Sequence, residues 1–368
     1  MLDAPLAPYL LWAKSRQPAA IDLAGSNLLH CTLDDLPGAR EAVDLWAKND
    51  DGYRPLIDGL ATHYGIAAER FVTANGCSGA NFVTIAALVA AGDEVLIERP
   101  AYDPLVGACL LMGANVRRFE RRFEDRYQID LGDLAHHITP RTRLIVVTTP
   151  HNPSGAQLDR SALVTLGTLA SRVGAHVLVD EVYLDAASAV RGEHGPALSA
   201  AHLDGPFIVT NSLTKSYGLA GLRLGWAIGT PPVAMRLRRT RDVIDNAGSS
   251  PADRLAALAV AQRARLSERA RSLLGANLDL ARRFLAAQPL LEVTEPPGSS
   301  VMFPRIRGCA DAEPFVRVLL DEHGVAVAPG RFFEAPAHFR ISLAGRTDAL
   351  AAGLDAIART LARWPVSS

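Results

Sequence analysis

The sequence predicts an α/β protein: a mostly parallel central sheet with helices on both faces, joined to a smaller α+β unit. Three observations carry this expectation. Short, β-branched apolar runs alternate with helix-like stretches through the first two thirds of the chain. That rhythm changes near residue 248. Polar or glycine-rich turns follow several of the apolar runs, where parallel sheets bind their ligands.

The runs VLIE (95–98), RLIVVTTP (143–150), AHVLVDEVY (175–183), FIVTNSL (207–213) and LRLGWAIG (222–229) are short and apolar, which favours strands buried on both faces. SGANFVTIAALVAA (78–91) and DRSALVTLGTLASRVG (159–174) read as helices, and such alternation builds parallel pairing through helical crossovers. Ser250 and Pro251 read as an N-cap and first helical residue. They open an Ala/Leu/Arg-rich helical region expected to break near Gly275 and to end by Pro289. LLEVTEP, SSVMFPRI, GVAVAP and FRISLA follow as short strands, interleaved with helices expected at about 311–323 and 347–363. The first forty or so residues show no sheet core and are expected to pack on this second unit. The expected division is 42–248 for a large α/β domain, and 1–41 with 249–368 for a small α+β domain.

Composition narrows the function classes. The chain has 368 residues, 49% hydrophobic and 21% charged, with a formal net charge of −1, so it can bury a large core and carries no excess charge for nucleic acid or an anionic membrane. RRFERRF (117–123) reads as a solvated face and MRLRRTR (235–241) as the polar side of a helix; no recognition motif accompanies either. Cys31, Cys77, Cys109 and Cys309 show no CxxC or metal-ligand spacing, so no metal site is expected and the thiols fit a reducing cytoplasm. MLDAPLAPYLLWAK lacks a positively charged segment ahead of an apolar core, and no run reaches membrane-spanning length. The expectation is a cytoplasmic protein.

The chemistry sits in the turns after the strands. TANGCSGAN (73–81) enters a helix through glycine, and a helix N-terminus offers free N–H groups and a positive dipole end to a phosphate; a cap by Ser78 explains the same turn. ERPAYDPL presents Tyr102, and PHNPSG presents Asn152, each just past a strand. In VDEVY, Asp180 ends an apolar strand, where a carboxylate is costly unless a cation, or a protonated ring nitrogen, pairs with it. SLTKSYGLAGLR then places Ser212 three residues before Lys215 and Arg223 eight after. A lysine at a strand end can form a Schiff base with an aldehyde, while the serine and arginine hold a dianion. Glycines at 218, 221 and 225 are expected to let backbone pass close to the bound group.

Taken in order, GCSGA, ERPAY, PHNPSG, VDEVY, SLTK with GLR, and FRISLA resemble the motifs of the class I/II aminotransferases, pyridoxal-5′-phosphate enzymes of the aspartate-aminotransferase-like fold (fold type I), over about residues 20 to 360. The resemblance implies a Schiff-base lysine at Lys215, which would also move a proton between the substrate α-carbon and the cofactor. It implies Asp180 against the pyridine nitrogen, Asn152 and Tyr183 on the ring's phenolate oxygen, and Tyr102 stacked on the ring. Cys77, Ser78, Ser212 and Arg223 would hold the phosphate, and Arg340 of FRISLA the substrate α-carboxylate.

Three positions depart from the family pattern. Where many members carry a tyrosine that reaches the neighbouring subunit's phosphate, this chain has Ala47, with Trp46 and Tyr53 nearby as alternatives. The family's glycine near the substrate carboxylate falls around Gly25, and Ser154 replaces the commoner threonine of the PHNPSG turn. The implied activity is amino-group transfer between an amino acid and a 2-oxo acid by a homodimer. A β-eliminating lyase on the same fold uses the same cofactor contacts and stays open. A cofactor-sensing DNA-binding regulator needs a longer N-terminal segment, and a nicotinamide dehydrogenase needs a GxGxxG turn with a distant acid; neither feature is seen. Arg331 in APGRFF is the other arginine near a turn and reads as a surface charge.

Overall fold

The computed structural model describes residues 6–193, 199–294 and 299–364. Its centre is a seven-stranded sheet in the order Phe71–Asn75, Leu224–Ile228, Phe207–Ser212, His176–Asp180, Thr142–Thr148, Glu94–Arg99 and Asn115–Glu120. Leu224–Ile228 runs antiparallel to both its neighbours, and every other pairing is parallel. All five strands expected from the apolar runs are present. Their central residues are fully buried because helices cover both faces, as the uninterrupted apolar pattern requires.

The two outer strands escape the sequence pattern. Phe71–Asn75 precedes the glycine turn, and its last residues are partly exposed. Asn115–Glu120 lies on the sheet's edge, and most of its side chains are only half-buried. The reading of RRFERRF as a solvated face is corrected here: the run enters this edge strand, and Arg121 just beyond it is buried against Glu98 at 2.8 Å. Likewise Arg241, at the end of MRLRRTR, is 1% exposed although Pro231–Ile244 is a helix with a polar face.

After the sheet, the helix Ser250–Ala261 begins one residue earlier than the reading of Ser250 as a cap: Ser249 is the N-cap, and the Ser250 hydroxyl instead accepts the Ala47 N–H at 3.0 Å. The expected break at Gly275 is absent. Arg263–Ala286 runs through that glycine, which has open space around its α-carbon, and the interruption falls at Gln262. The later elements stand close to their expected places. Val301–Met302, Ala328–Pro329 and Phe339–Ser342 form a three-stranded antiparallel sheet, with helices Glu313–His323 and Thr347–Leu361.

The N-terminal segment divides its packing. Ile21–Asp22 pairs in parallel with Val325–Ala326, and Leu23 joins the second core. Leu36 and Ala39 join the large core, as do Leu255, Ala256 and Ala259. We propose on this packing that the large unit extends past residue 249 into the helix Ser250–Ala261. No helix of the described residues is long and apolar enough to cross a membrane.

Candidate active site

At the carboxyl ends of the parallel strands lies a cavity of about 530 Å³. Cys77, Ser78, Tyr102, Asn152, Asp180, Tyr183, Ser212, Lys215 and Arg223 all line it, so the turns picked out one by one in the sequence meet in one place. Adjacent parallel strands end at the same level. Each following turn therefore delivers its polar residue to the same rim.

Asp180 is the last residue of its strand and is 5% exposed. Burial pushes its carboxyl up from the usual range, opposed by donors: Asn81 Nδ2 at 2.7 Å, the Val182 N–H at 3.0 Å and the Cys77 thiol at 3.4 Å. Lys215 lies in the short helix Leu213–Tyr217, which starts where the strand Phe207–Ser212 ends. Its ammonium donates to Ser26 Oγ at 3.0 Å and Asn27 Oδ1 at 2.6 Å. Burial first, and the Arg340 charge second, lower its pKa to about 8, against the attraction of Asp180.

The phosphate end is built on backbone. The helix Gly76–Leu88 begins at the cavity, and no side chain caps its first turn, so the cap expected of Ser78 is not formed. Its leading N–H groups are free to face an anion. The Arg223 guanidinium packs on that terminus, where a Cβ on Gly76 would lie 2.6 Å from Nη2. Gly225 is required for the same approach: a Cβ there would sit 2.4 Å from the Gly76 carbonyl carbon and 2.7 Å from the Cys77 nitrogen. The other two glycines of the motif do something else. Gly218 has φ +71° and abuts the Leu29 carbonyl, and Gly221 has open space, so neither passes close to the cavity's contents.

Arg340, 1% exposed, stands on the strand Phe339–Ser342 and donates to Asn152 Oδ1 at 2.7 Å, to the Tyr9 hydroxyl at 2.8 Å and to the Ala24 carbonyl at 2.8 Å. Its Nε has no partner among the described residues. Gly25 lines the cavity, and its carbonyl lies 3.5 Å from Arg340 Nη2. Arg331 instead pairs with Glu313 at 2.7 Å on the surface. Trp46 is 73% exposed, whereas Tyr53 caps the helix Arg54–Tyr64 and packs partly on the large core.

Sequence reasoning missed Tyr9, Ser26, Asn27, Thr148 and Thr214, all in the cavity wall, and Asn81 behind Asp180. Ser26, Asn27 and Thr214 are neighbours of Gly25 and Lys215, which was a usable signal. Tyr9 had none: it lies on the helix Pro8–Ser15, which reads as any apolar segment.

These residues fit pyridoxal phosphate. The Tyr183 hydroxyl and Thr214 Oγ1 are buried and have no hydrogen-bond partner among the described residues. Asp180 is a buried carboxylate without a cation in bonding contact among the described residues, and the uncapped helix end with Arg223 suits a dianion.

Comparison with known proteins agrees. The family described as aminotransferase class I and II matches residues 49–357. Capreomycidine synthase of Streptomyces vinaceus is 32% identical, over 97% of this chain and 94% of its own. The arginine–pyruvate transaminase AruH of Pseudomonas aeruginosa is 31% identical, over 76% and 71% respectively. Among solved structures, a pyridoxal-phosphate-dependent aminotransferase from Streptococcus suis superposes with a TM-score of 0.88 at 29% identity, covering 100% of both chains. The pyridoxal-phosphate-dependent cyclase OrfR gives a TM-score of 0.86 at 25% identity, covering 99% of this chain and 98% of its own.

Proposed function

This chain belongs to the class I and II aminotransferase family, whose members depend on pyridoxal phosphate, and from that premise we propose that it moves an amino group between an amino acid and a 2-oxo acid. The observation that carries the reading is the meeting of Lys215, Asp180 and Asn152 around one cavity, with Arg340 bonded to Asn152 behind its wall.

The bound cofactor supplies an aldehyde that condenses with amines and a protonated ring that draws electrons from the substrate's α-carbon bonds. The protein does the rest. Lowering the Lys215 pKa from 10.5 to about 8 raises the neutral amine at pH 7 by roughly three-hundredfold, to about a tenth of the molecules. That amine would serve as the nucleophile toward the cofactor and as the base and acid at the α-carbon. Asp180 would hold the ring nitrogen protonated, and Tyr183 and Asn152 would donate to the ring's oxygen. The first turn of Gly76–Leu88, with Ser78, Ser212, Thr214 and Arg223, would grip the phosphate. Arg340 orients the α-carboxylate with a charge already fixed by Asn152, Tyr9 and Ala24, so substrate binding requires little reorganisation there.

The test is a panel of amino donors with several 2-oxo acids, read as new amino acid formed. Lys215→Ala should abolish multiple turnovers, and retained turnover would remove the assignment. The 32% identity to capreomycidine synthase, with the likeness to the cyclase OrfR, favours a second reading in which the same activated carbon ends in elimination or ring closure. Product formed with no oxo acid present would select it, including the case of a β-eliminating lyase.

We also read the protein as a cytoplasmic homodimer. Leu45, Trp46 and Val243 are 87%, 73% and 88% exposed, which is costly for an isolated chain. Sedimentation of an active monomer would contradict the dimer.

A further inference from the structure

Asn81 closes the TANGCSGAN turn, where the sequence suggests no role for it, and it does not line the cavity, yet it makes the shortest contact to Asp180. Its amide Nδ2 donates to Asp180 Oδ2 at 2.7 Å, and its Oδ1 accepts the Thr210 hydroxyl at 2.6 Å. All three residues are buried, Thr210 and Asn81 at 0% and 4% exposure. Asn81 lies one turn after Cys77 on the helix Gly76–Leu88, and Thr210 pairs in register with Asp180 on the neighbouring strand. A carboxylate can only accept while ionised, so the amide must turn its nitrogen toward Asp180; the Thr210 hydroxyl then meets the amide oxygen and locks that orientation.

We propose that Asn81, oriented by Thr210, is a positioning residue that keeps Asp180 ionised and aimed at the cofactor's ring nitrogen. Desolvation favours the neutral acid, which cannot hold a pyridinium. The Cys77 thiol is a weak, long donor at 3.4 Å, and the Val182 N–H binds the same oxygen, Oδ1. Oδ2 has Asn81 as its donor among the described residues. Other charged and titratable groups felt around Asp180 are Lys215, Glu181, Tyr183 and Cys77. None of them supplies a short bond to Oδ2. Hydrogen bonds to charged groups are the strong class, so losing this one should weaken cofactor binding by about tenfold to a hundredfold.

The inference rests on reading Asp180 as the ring nitrogen's partner, and the test separates the two. Holoenzyme is prepared with cofactor labelled with 15N in its ring, and the cofactor dissociation constant and the 15N shift are measured at one neutral pH. Wild type should give the protonated-ring shift, and Asp180→Asn should lose it. Asn81→Leu should move the shift toward the unprotonated ring and raise the dissociation constant by at least tenfold. Thr210→Val, a β-branched isostere suited to its strand, should move both in the same direction by less, and it decides the matter if Asn81→Leu does not fold. If Asp180→Asn changes the shift while Asn81→Leu and Thr210→Val only lower the melting temperature, Asn81 is merely structural and the proposal fails. If Asp180→Asn leaves the shift unchanged, the reading of the site itself fails.

Discussion

Replacing Lys215 with methionine should make the cofactor-free protein more stable at neutral pH, although it removes the residue on which the chemistry depends. The ammonium has a folded-state pKa of about 8 against 10.5 for an ordinary lysine, a difference worth about 3.4 kcal/mol. Lys215 borders an open cavity and is not fully shut from water, so about half that figure, roughly 1.5 to 2 kcal/mol, is the expected cost of its charge. The sign follows from proton counts. Between pH 8 and 10.5 the unfolded chain holds the proton and the folded chain does not, so wild-type stability rises with pH across that window. Below pH 8 both states are protonated and the full cost applies. Methionine fills a similar volume without charge, and Ser26 and Asn27 can turn to cavity water. Urea unfolding of both proteins should therefore show Lys215→Met ahead by about 1.5 kcal/mol at pH 7, with the gap closing as pH approaches 10.5. A gap that is constant with pH, or a variant less stable than wild type at pH 7, would refute the claim that the lysine is held partly deprotonated by its surroundings.

Arg340→Lys keeps the charge but loses the planar fork that bonds Asn152, Tyr9 and Ala24 together. The expected loss in kcat/KM is about a hundredfold or more for amino acids, and much less for an amine lacking the carboxylate. Tyr183→Phe removes a buried hydroxyl that has no partner, so thermal unfolding of the cofactor-free protein should be unchanged or later by up to about 1 kcal/mol. The same variant should still shift the visible absorbance of the bound cofactor and its pH dependence. Gly225→Ala drives a methyl group into the Gly76–Cys77 backbone, which cannot rotate away. It should cost about 3 kcal/mol in denaturant unfolding and weaken binding of the phosphate end.

Much of the site was legible because its chemistry is placed by strand ends. A buried strand announces itself as a short apolar run, and the first polar residues after it must lie at the sheet's edge. Asp180, Asn152 and Lys215 could each be found that way. Edge strands carry no such signature. Asn115–Glu120 has half-exposed arginines and read as a solvated face, although the same stretch leads to Arg121, buried beside Glu98. Gly275 read as a helix stop, but long-range packing of Leu274, Asn277 and Leu278 holds the helix together across it.

By itself the sequence determined the family, the five strands expected from the apolar runs, and most of the residues that line the cavity, because those depend on hydrophobic period and on residue type at fixed offsets. Only the tertiary structure decided what those residues feel. The pull on the Lys215 proton by burial and by Arg340, the Asn81 amide on Asp180, and the joining of Arg340 to Asn152 all link positions from 99 to 188 residues apart, or 125 for Lys215 and Arg340. Desolvation and Coulomb interaction act through space, and no local pattern in the chain records which distant groups will share a dry cavity.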